Sequence, residues 1–319
     1  MRIAFVGEAL IDFTGTGGLG FVGHEGGALA NSAIAAARLG QPAGLVTQLS
    51  TDLFGERLLA NLQANGVDTR LVLRSDAPST LAFVERTPQT NRYAFYTQAT
   101  ADTLWSPDPL PELPQSCRYL HFGSIALLQE PAAGCITALV QAQRGARIVV
   151  FDPNVRPSLV RDMAGYRERM RAWAALSDIV KLSDEDATAL APHQDAADTA
   201  LCFLRMGPRA VVLTRGAAGA TLYRTGHAPL EVRPPSVAVV DTIGAGDTFG
   251  AALSVGLLEQ GVEQPAQLAA LADATWRTVL QFAAAAAALN CTREGANPPR
   301  RDEVRGTWAG PQDPASIPR

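Results

Sequence analysis

Six short apolar runs, separated by stretches of helical periodicity, constrain the fold of this chain more than any other feature. Residues 2–7, 45–49, 119–122, 147–151, 178–182 and 210–214 have the length and aliphatic content of strands buried on both faces. Between them, residues 27–39, 53–65, 132–143, 165–176 and 196–205 read as helices. This alternation predicts an α/β fold, a mostly parallel sheet with helices on both faces. Two stretches break the rhythm. Residues 13–24 are Gly-rich, and 68–96 alternate apolar and polar residues at 80–85 and 92–96. Period-two alternation predicts a small sheet with one wet face, set apart as a lid with segments at about 12–25 and 68–100. Further helices are expected at 244–259 and 267–290. One domain then spans 1–301, and the aperiodic, Pro- and Gly-containing segment 302–319 reads as a flexible tail.

Composition excludes several function classes. A hydrophobic fraction of 47% with 18% charged residues suits a globular chain with a sizeable core. A net charge of -4 without a Lys/Arg block argues against a nucleic-acid partner. Cys117, Cys135, Cys202 and Cys291 are far apart and form no CxxC pair, and the four histidines are scattered, so no zinc pattern exists. A reduced, cytoplasmic protein is the natural expectation. Glu8 and Asp12 interrupt the apolar start too early for a signal peptide. The longest apolar stretch, 282–289, is far too short to cross a bilayer, so no membrane segment is expected.

The chemistry concentrates in residues 237–252, VAVVDTIGAGDTFGAA. An apolar run, read as a strand, leads into Asp241 and Thr242, then Gly244-Ala245-Gly246-Asp247, then a helix of small residues. Glycines at such a junction let backbone N–H groups converge at a helix N-terminus, which together with the helix dipole makes an anion site. Asp247 alone would read equally well as an ordinary N-cap carboxylate. Further motifs accompany it: VGEALIDF at the start, GGALANSAIAAARLG at 26–40, QLSTDLFGERLLANLQANGVDT at 48–69, FDPNVRP at 151–157, VKLSDED at 180–186 and ALNCTREGA at 288–296. In this order they resemble the PfkB (ribokinase-like) carbohydrate kinases, and most closely the bacterial fructokinases, over nearly the whole chain.

The resemblance implies a ribokinase-like, doubly wound domain with a β lid closing over a sugar, and transfer of the ATP γ-phosphate to a sugar hydroxyl. It implies that the backbone of Gly244, Ala245, Gly246 and Asp247 forms an anion hole, and that Asp247 is the base. Asp12, Gly26, Gly27 and Asn31 match its sugar site, with Leu29 where the usual motif has Pro. Thr80 and Phe95, on lid strands, either close against the sugar or simply pack the lid. Arg156 matches the arginine aimed at substrate and transferring phosphate, a role that suits a guanidinium fork. The DPNxR context favours D-fructose over ribose; 2-keto-3-deoxygluconate and adenosine remain alternatives.

Lys181, Ser183, Thr214, Gly216 and Gly219 match the family's nucleotide segments. Asn290 is a candidate purine contact, or else an ordinary helix C-terminal Asn. Mg²⁺ is expected on chemical grounds, to neutralise the phosphates. Asp186, standing where the family usually has Glu, is the candidate for reaching it through water. A potassium ion is implied at the Asp241 carboxylate and the carbonyls near Ile243, Asn290, Arg293 and Gly295. A homodimer through the lid is also implied, which would hide exposed strand edges. Two readings from other classes compete. A non-catalytic sugar-binding regulator would have lost Asp247, and a dinucleotide oxidoreductase would carry G-x-G-x-x-G after its first strand; this chain does neither.

Overall fold

A computed structural model describes residues 1–86 and 91–307. In chain order its strands are β1 (Ile3–Val6), β2 (Leu10–Gly17), β3 (Gly20–Gly26), β4 (Ala43–Ser50), β5 (Val72–Ser75), β6 (Leu81–Arg86) and β7 (Asn91–Tyr96). They continue with β8 (Tyr119–Gly123), β9 (Ile148–Asp152), β10 (Ile179–Ser183), β11 (Ala210–Thr214), β12 (Ala220–Tyr223) and β13 (Leu230–Val232). The α-helices are α1 (Ala28–Arg38), α2 (Leu53–Ala64), α3 (Ala132–Gln143), α4 (Met163–Leu176) and α5 (Asp184–Leu190). After these come α6 (Ala196–Arg205), α7 (Ala245–Glu259), α8 (Gln267–Ala270), α9 (Asp273–Asn290) and α10 (Arg301–Thr307).

The main sheet runs β13-β12-β11-β10-β9-β8-β1-β4-β5. Every pair from β11 to β5 is parallel, and only β12 and β13 run against their neighbours. Successive side chains of a strand point to opposite faces. Accordingly Ile3 and Phe5 pack into one core with α1, α2, α7 and α9, whereas Ala4 and Val6 pack into the other with α3 to α6. All six expected strands and the expected doubly wound class are present. The chain order reverses between β1 and β8, and in such sheets ligands bind outside the carboxyl ends of the strands at that point. Gly7, Gly123, Asp152, Ser183 and Thr214 all sit at those ends.

The small sheet, β3-β2-β6-β7, lies apart from the main one. Cross-strand pairing puts His24, Asp12, Ala82 and Phe95 in one row, while Phe13, Phe83 and Gly23 occupy the opposite face. Two polar knots tie its base. The Asp52 carboxylate caps α2 through Gly55 N and also accepts the Ser79 amide and hydroxyl at 2.8 and 2.7 Å. Thr80 and Thr100 hydroxyls both donate to Asp102 Oδ1, at 2.5 and 2.9 Å.

Four expectations need correction. Residues 72–75 form β5 in the main sheet, paired parallel with β4, so the lid's second segment begins at β6. The run 237–240 forms no strand: Val239 and Val240 are 63% and 62% exposed, because no sheet edge stands beside them. The helix expected over 267–290 breaks at Leu271 and Ala272. There the buried Arg224 takes the Leu271 carbonyl at 3.3 Å and the Asp273 carboxylate at 2.5 Å. Residues 302–307, expected in a mobile tail, belong to α10, whose Val304 is wholly buried. The rest of that tail and residues 87–90 of the lid lie outside the described residues.

Gly123 has φ 150°, and a Cβ there would stand 1.8 Å from the Asp152 carbonyl oxygen. Gly40, also left-handed at φ 89°, faces open space. Gly40→Ala should cost about 1 kcal/mol of stability through backbone strain alone. Gly123→Ala should cost more than about 3 kcal/mol, since strand separation adds to the strain. Urea unfolding midpoints check this; equal losses would contradict the described β8–β9 packing.

Candidate active site

The site forms where the N-termini of α1 and α7 meet above the switch point. Helix α7 is buried almost throughout its 15 residues, and its small side chains allow close packing on the alanine-rich α9. Its N-cap Gly244 is left-handed (φ 74°), and a Cβ there would press to 2.7 Å on Ala296. The Ala245 amide is given to the Thr242 carbonyl at 3.2 Å. The hole expected from residues 244–247 therefore narrows, because this amide is engaged. Gly246 and Asp247 are first-turn residues, whose N–H groups lack acceptors within the helix.

Asp247 is half-buried. Its Oδ2 accepts Asn31 Nδ2 at 2.9 Å, and Ser32 Oγ donates to its carbonyl at 3.2 Å. Burial raises its carboxyl above the ordinary range, opposed by the Asn31 amide and by the charges of Lys181 and Arg156. Lys181, almost buried, pairs with Asp152 Oδ2 at 3.0 Å and lies under Gly246, whose missing Cβ would stand 3.0 Å from Nζ. Burial pushes Asp152 up to about 6 against that pairing. Asp12 rests over Gly26, where a Cβ would meet its Oδ2 at 2.3 Å. Its carboxyl is pushed up to about 6 by burial; Arg156 lowers it and Asp247 raises it. Arg156 folds back on Asn154, donating to its side-chain oxygen at 2.7 Å and its carbonyl at 3.1 Å. Beneath Asp247 lies a cavity of about 10 Å³, touched by Asp152, Lys181, Ser124 and Asn154. It has room for about one water.

Asp12, Gly26, Asn31, Arg156 and Asp247 thus come together as expected, and Gly27 is the N-cap of α1. Ser183 and Thr214 end β10 and β11, with Gly216 and Gly219 in the turn that follows. Phe95 packs on Leu10, Ala82 and Ile125, on the Asp12 face of the lid. Thr80 is corrected: it is 1% exposed and its hydroxyl belongs to the Asp102 knot, so it has no face for a ligand. Asn290 is corrected as a purine contact. It is wholly buried, and its Nδ2 donates to the Ile243 carbonyl at 2.7 Å, tying the glycine loop to α9.

Asp186 is corrected as well. Its oxygens accept Val155 N at 2.6 Å and Ser183 N at 2.9 Å, completing a capping box, so it clamps backbone instead of facing a hydrated ion. Among the described residues no three acidic, His or Cys side chains gather to hold a metal. Of the implied potassium ligands, Asp241 accepts Ile243 N and Gly295 N, both at 3.1 Å, and the Ile243 carbonyl accepts Asn290 Nδ2. The Arg293 side chain turns to Asn297 and Glu303. One oxygen there, the buried Asn290 Oδ1, lacks a partner. Sequence reasoning missed Asp152, Ser124, Asn154 and Ser32, of which Asp152 and Asn154 were visible only as letters of DPNVRP. No described helix is long and apolar enough to span a membrane, and the four cysteines are free.

Glycine-stapled helix N-termini around a half-buried carboxylate and two cations define a phosphotransfer site. Residues 2–303 match the model of the pfkB family of carbohydrate kinases, and the chain belongs to that family. A fructokinase of Rhizobium leguminosarum bv. trifolii is 38% identical over 275 residues, 85% of this chain and 84% of that one. The crystal structure of a Xylella fastidiosa fructokinase with bound ATP superposes with a TM-score of 0.86 at 29% identity, covering 96% of this chain and 97% of the other. Aminoimidazole riboside kinase from Salmonella enterica, complexed with aminoimidazole riboside and an ATP analogue, gives 0.81 at 27% identity, covering 96% and 99%.

The Asp12 shift sets a stability test. A carboxyl with a folded value near 6, above its ordinary 3.8, binds its proton more tightly when folded. Stability is therefore lost as pH rises from about 4 to 6 and stays lost above. Asp12→Asn should melt higher than the parent at pH 8 and no higher at pH 3.5, by thermal denaturation.

Proposed function

We propose that this kinase transfers the γ-phosphate of ATP to the primary 6-hydroxyl of D-fructose, giving fructose 6-phosphate and ADP. The observation that carries the reading is Asp247, half-buried at the N-terminus of α7, with Asn31 on one oxygen and the charges of Arg156 and Lys181 nearby. Fructose is supported by the DPNVR arginine and by the likeness to fructokinases.

In this reading the sugar lies between Asp12 and Asp247, its secondary hydroxyls donating to Asp12 and its primary hydroxyl to Asp247. ATP enters as its magnesium complex, with its terminal phosphate at the free amides of Gly246 and Asp247. As the hydroxyl oxygen bonds to phosphorus, the bond from phosphorus to the β–γ bridging oxygen breaks, and the proton passes to Asp247 Oδ. The raised affinity of Asp247 for a proton favours that late transfer. Arg156 leaves Asn154 to fork onto the phosphoryl oxygens, and Lys181 adds positive charge under Gly246. Ser183, Thr214 and the 216–219 turn border the nucleotide, and the exposed Val239 and Val240 offer the adenine an apolar face. We derive no step through potassium; omitting it from the assay below tests the implied site, where the buried Asn290 oxygen lacks a partner.

The outer lid face supports the homodimer. Phe13 stacks on Phe83 at 4.8 Å, Phe21 and Tyr96 meet Phe83 edge-on at 5.2 and 5.6 Å, and Tyr96 is 62% exposed. An aromatic cluster of this kind is what a self-complementary interface buries.

Asp247→Asn should lower kcat by at least about a thousandfold while the fold and melting temperature persist, since the base is lost and a half-buried charge removed. Retention of more than a tenth of the activity would defeat the mechanism. A coupled ADP-release assay against fructose, ribose, 2-keto-3-deoxygluconate, tagatose, adenosine and aminoimidazole riboside should rank fructose first by kcat/KM. Phe21→Glu should convert a dimer into a monomer in light scattering; a parent that is already monomeric rejects the interface.

A further inference from the structure

Glu8 follows β1 at the switch point and is 1% exposed. Its Oε1 accepts the amide of Ala28, the first residue of α1, at 3.1 Å. Its Oε2 is buried with no hydrogen-bond partner. An isolated buried carboxylate oxygen is costly, and a site that keeps one has a use for its placement.

Two arms leave this carboxyl. Through Ala28 it fixes the first turn of α1, from which Asn31 reaches Asp247. On the other side it faces the Ser124 hydroxyl at the end of β8. Asn154 Nδ2 approaches Ser124 Oγ at 3.5 Å, and Asn154 Oδ1 accepts Arg156 at 2.7 Å. Ser124 and Asn154 are both non-glycine residues in the left-handed region, at φ 58° and 40°. Strain of this kind persists only where surrounding contacts over-determine it. Burial pushes Glu8 up to about 7, opposed by the Ser124 hydroxyl and the amides of Glu8 and Ala28, and Asp102 at the lid base adds a smaller upward push.

We propose that Glu8 is a positioning residue that sets Asp247, through Ala28 and Asn31, and Arg156, through Ser124 and Asn154, in register across one substrate. This rests on the kinase reading above and adds to it the device that couples base and cation.

Double-mutant cycles test it. Glu8→Ala should lower kcat/KM for the sugar by about a hundredfold, while ADP affinity by calorimetry stays within about twofold. Glu8→Gln, which keeps an acceptor for Ala28 and a polar group toward the Ser124 hydroxyl, should recover to within about threefold of the parent. Combined with Asn31→Ala or Arg156→Ala, Glu8→Ala should add much less than its own factor. Ser124→Ala should be non-additive with Arg156→Ala yet additive with Asn31→Ala. The cycle uses whichever sugar the parent turns over, so a wrong substrate does not disturb it, and a wholly inactive parent sinks the kinase reading alone. A crystal structure of Glu8→Ala gives the readout without activity: the Asn31–Asp247 and Arg156–Asn154 contacts should both be lost. Both contacts intact, full additivity in both cycles, or Gln no better than Ala would overturn the inference. Should Glu8→Ala not fold, the Gln variant and the Ser124 cycle decide.

Discussion

The contact on which the site depends is the Asn31 amide on Asp247 Oδ2 at 2.9 Å, because it joins two helices whose N-termini face one cleft. Helix N-termini carry partial positive charge and unpaired amides. Two of them side by side, with Lys181 and Arg156 nearby, help keep a half-buried carboxylate acceptable. Among the described residues the Asn31 side chain meets the carboxylate with a charge-assisted hydrogen bond, on one of its two oxygens. Helix α7 can stand there because its small residues let it sink against α9, with Gly256 within 3.1 Å of Val279 if it bore a Cβ.

Around this contact the electrostatics are tuned in opposition. Asp12 and Asp247 repel one another, and burial raises both; Arg156 lies near enough to lower both. Lys181 is held away from bulk water by Asp152. In the free protein, therefore, each cation already has a partner, and the arriving phosphates compete for charges that are held in place beforehand. Positioning of that kind is most of what phosphoryl transfer requires.

Much of this was legible in the letters. The strands showed as apolar runs because a parallel sheet buries both faces. The glycine loop showed because only glycine fits at Gly244 and beside Asp12 at Gly26. The failures share one cause: partners supplied by distant chain. Residues 237–240 have the composition of a strand, but a strand needs a neighbouring edge. Thr80, Asn290 and Asp186 are the right residue types for a site, yet each is turned inward to bind backbone or a buried carboxylate. Sequence spacing placed them at the correct elements without revealing which way they point. Glu8 was hidden for the opposite reason, since nothing local distinguishes it from a strand-end residue.

The two knots at the base of the lid carry a mechanical consequence. Ser79 and Thr80 enter β6 already fastened to Asp52 and Asp102, and Thr100 fastens the exit of β7 to the same Asp102. Both ends of the flap are thereby pinned to one rigid axle in the main body. Strand pairing holds Asp12, Ala82 and Phe95 in one row, so any displacement of this sheet would move Asp12 and Phe95 together. Such a displacement would not need to unravel any strand.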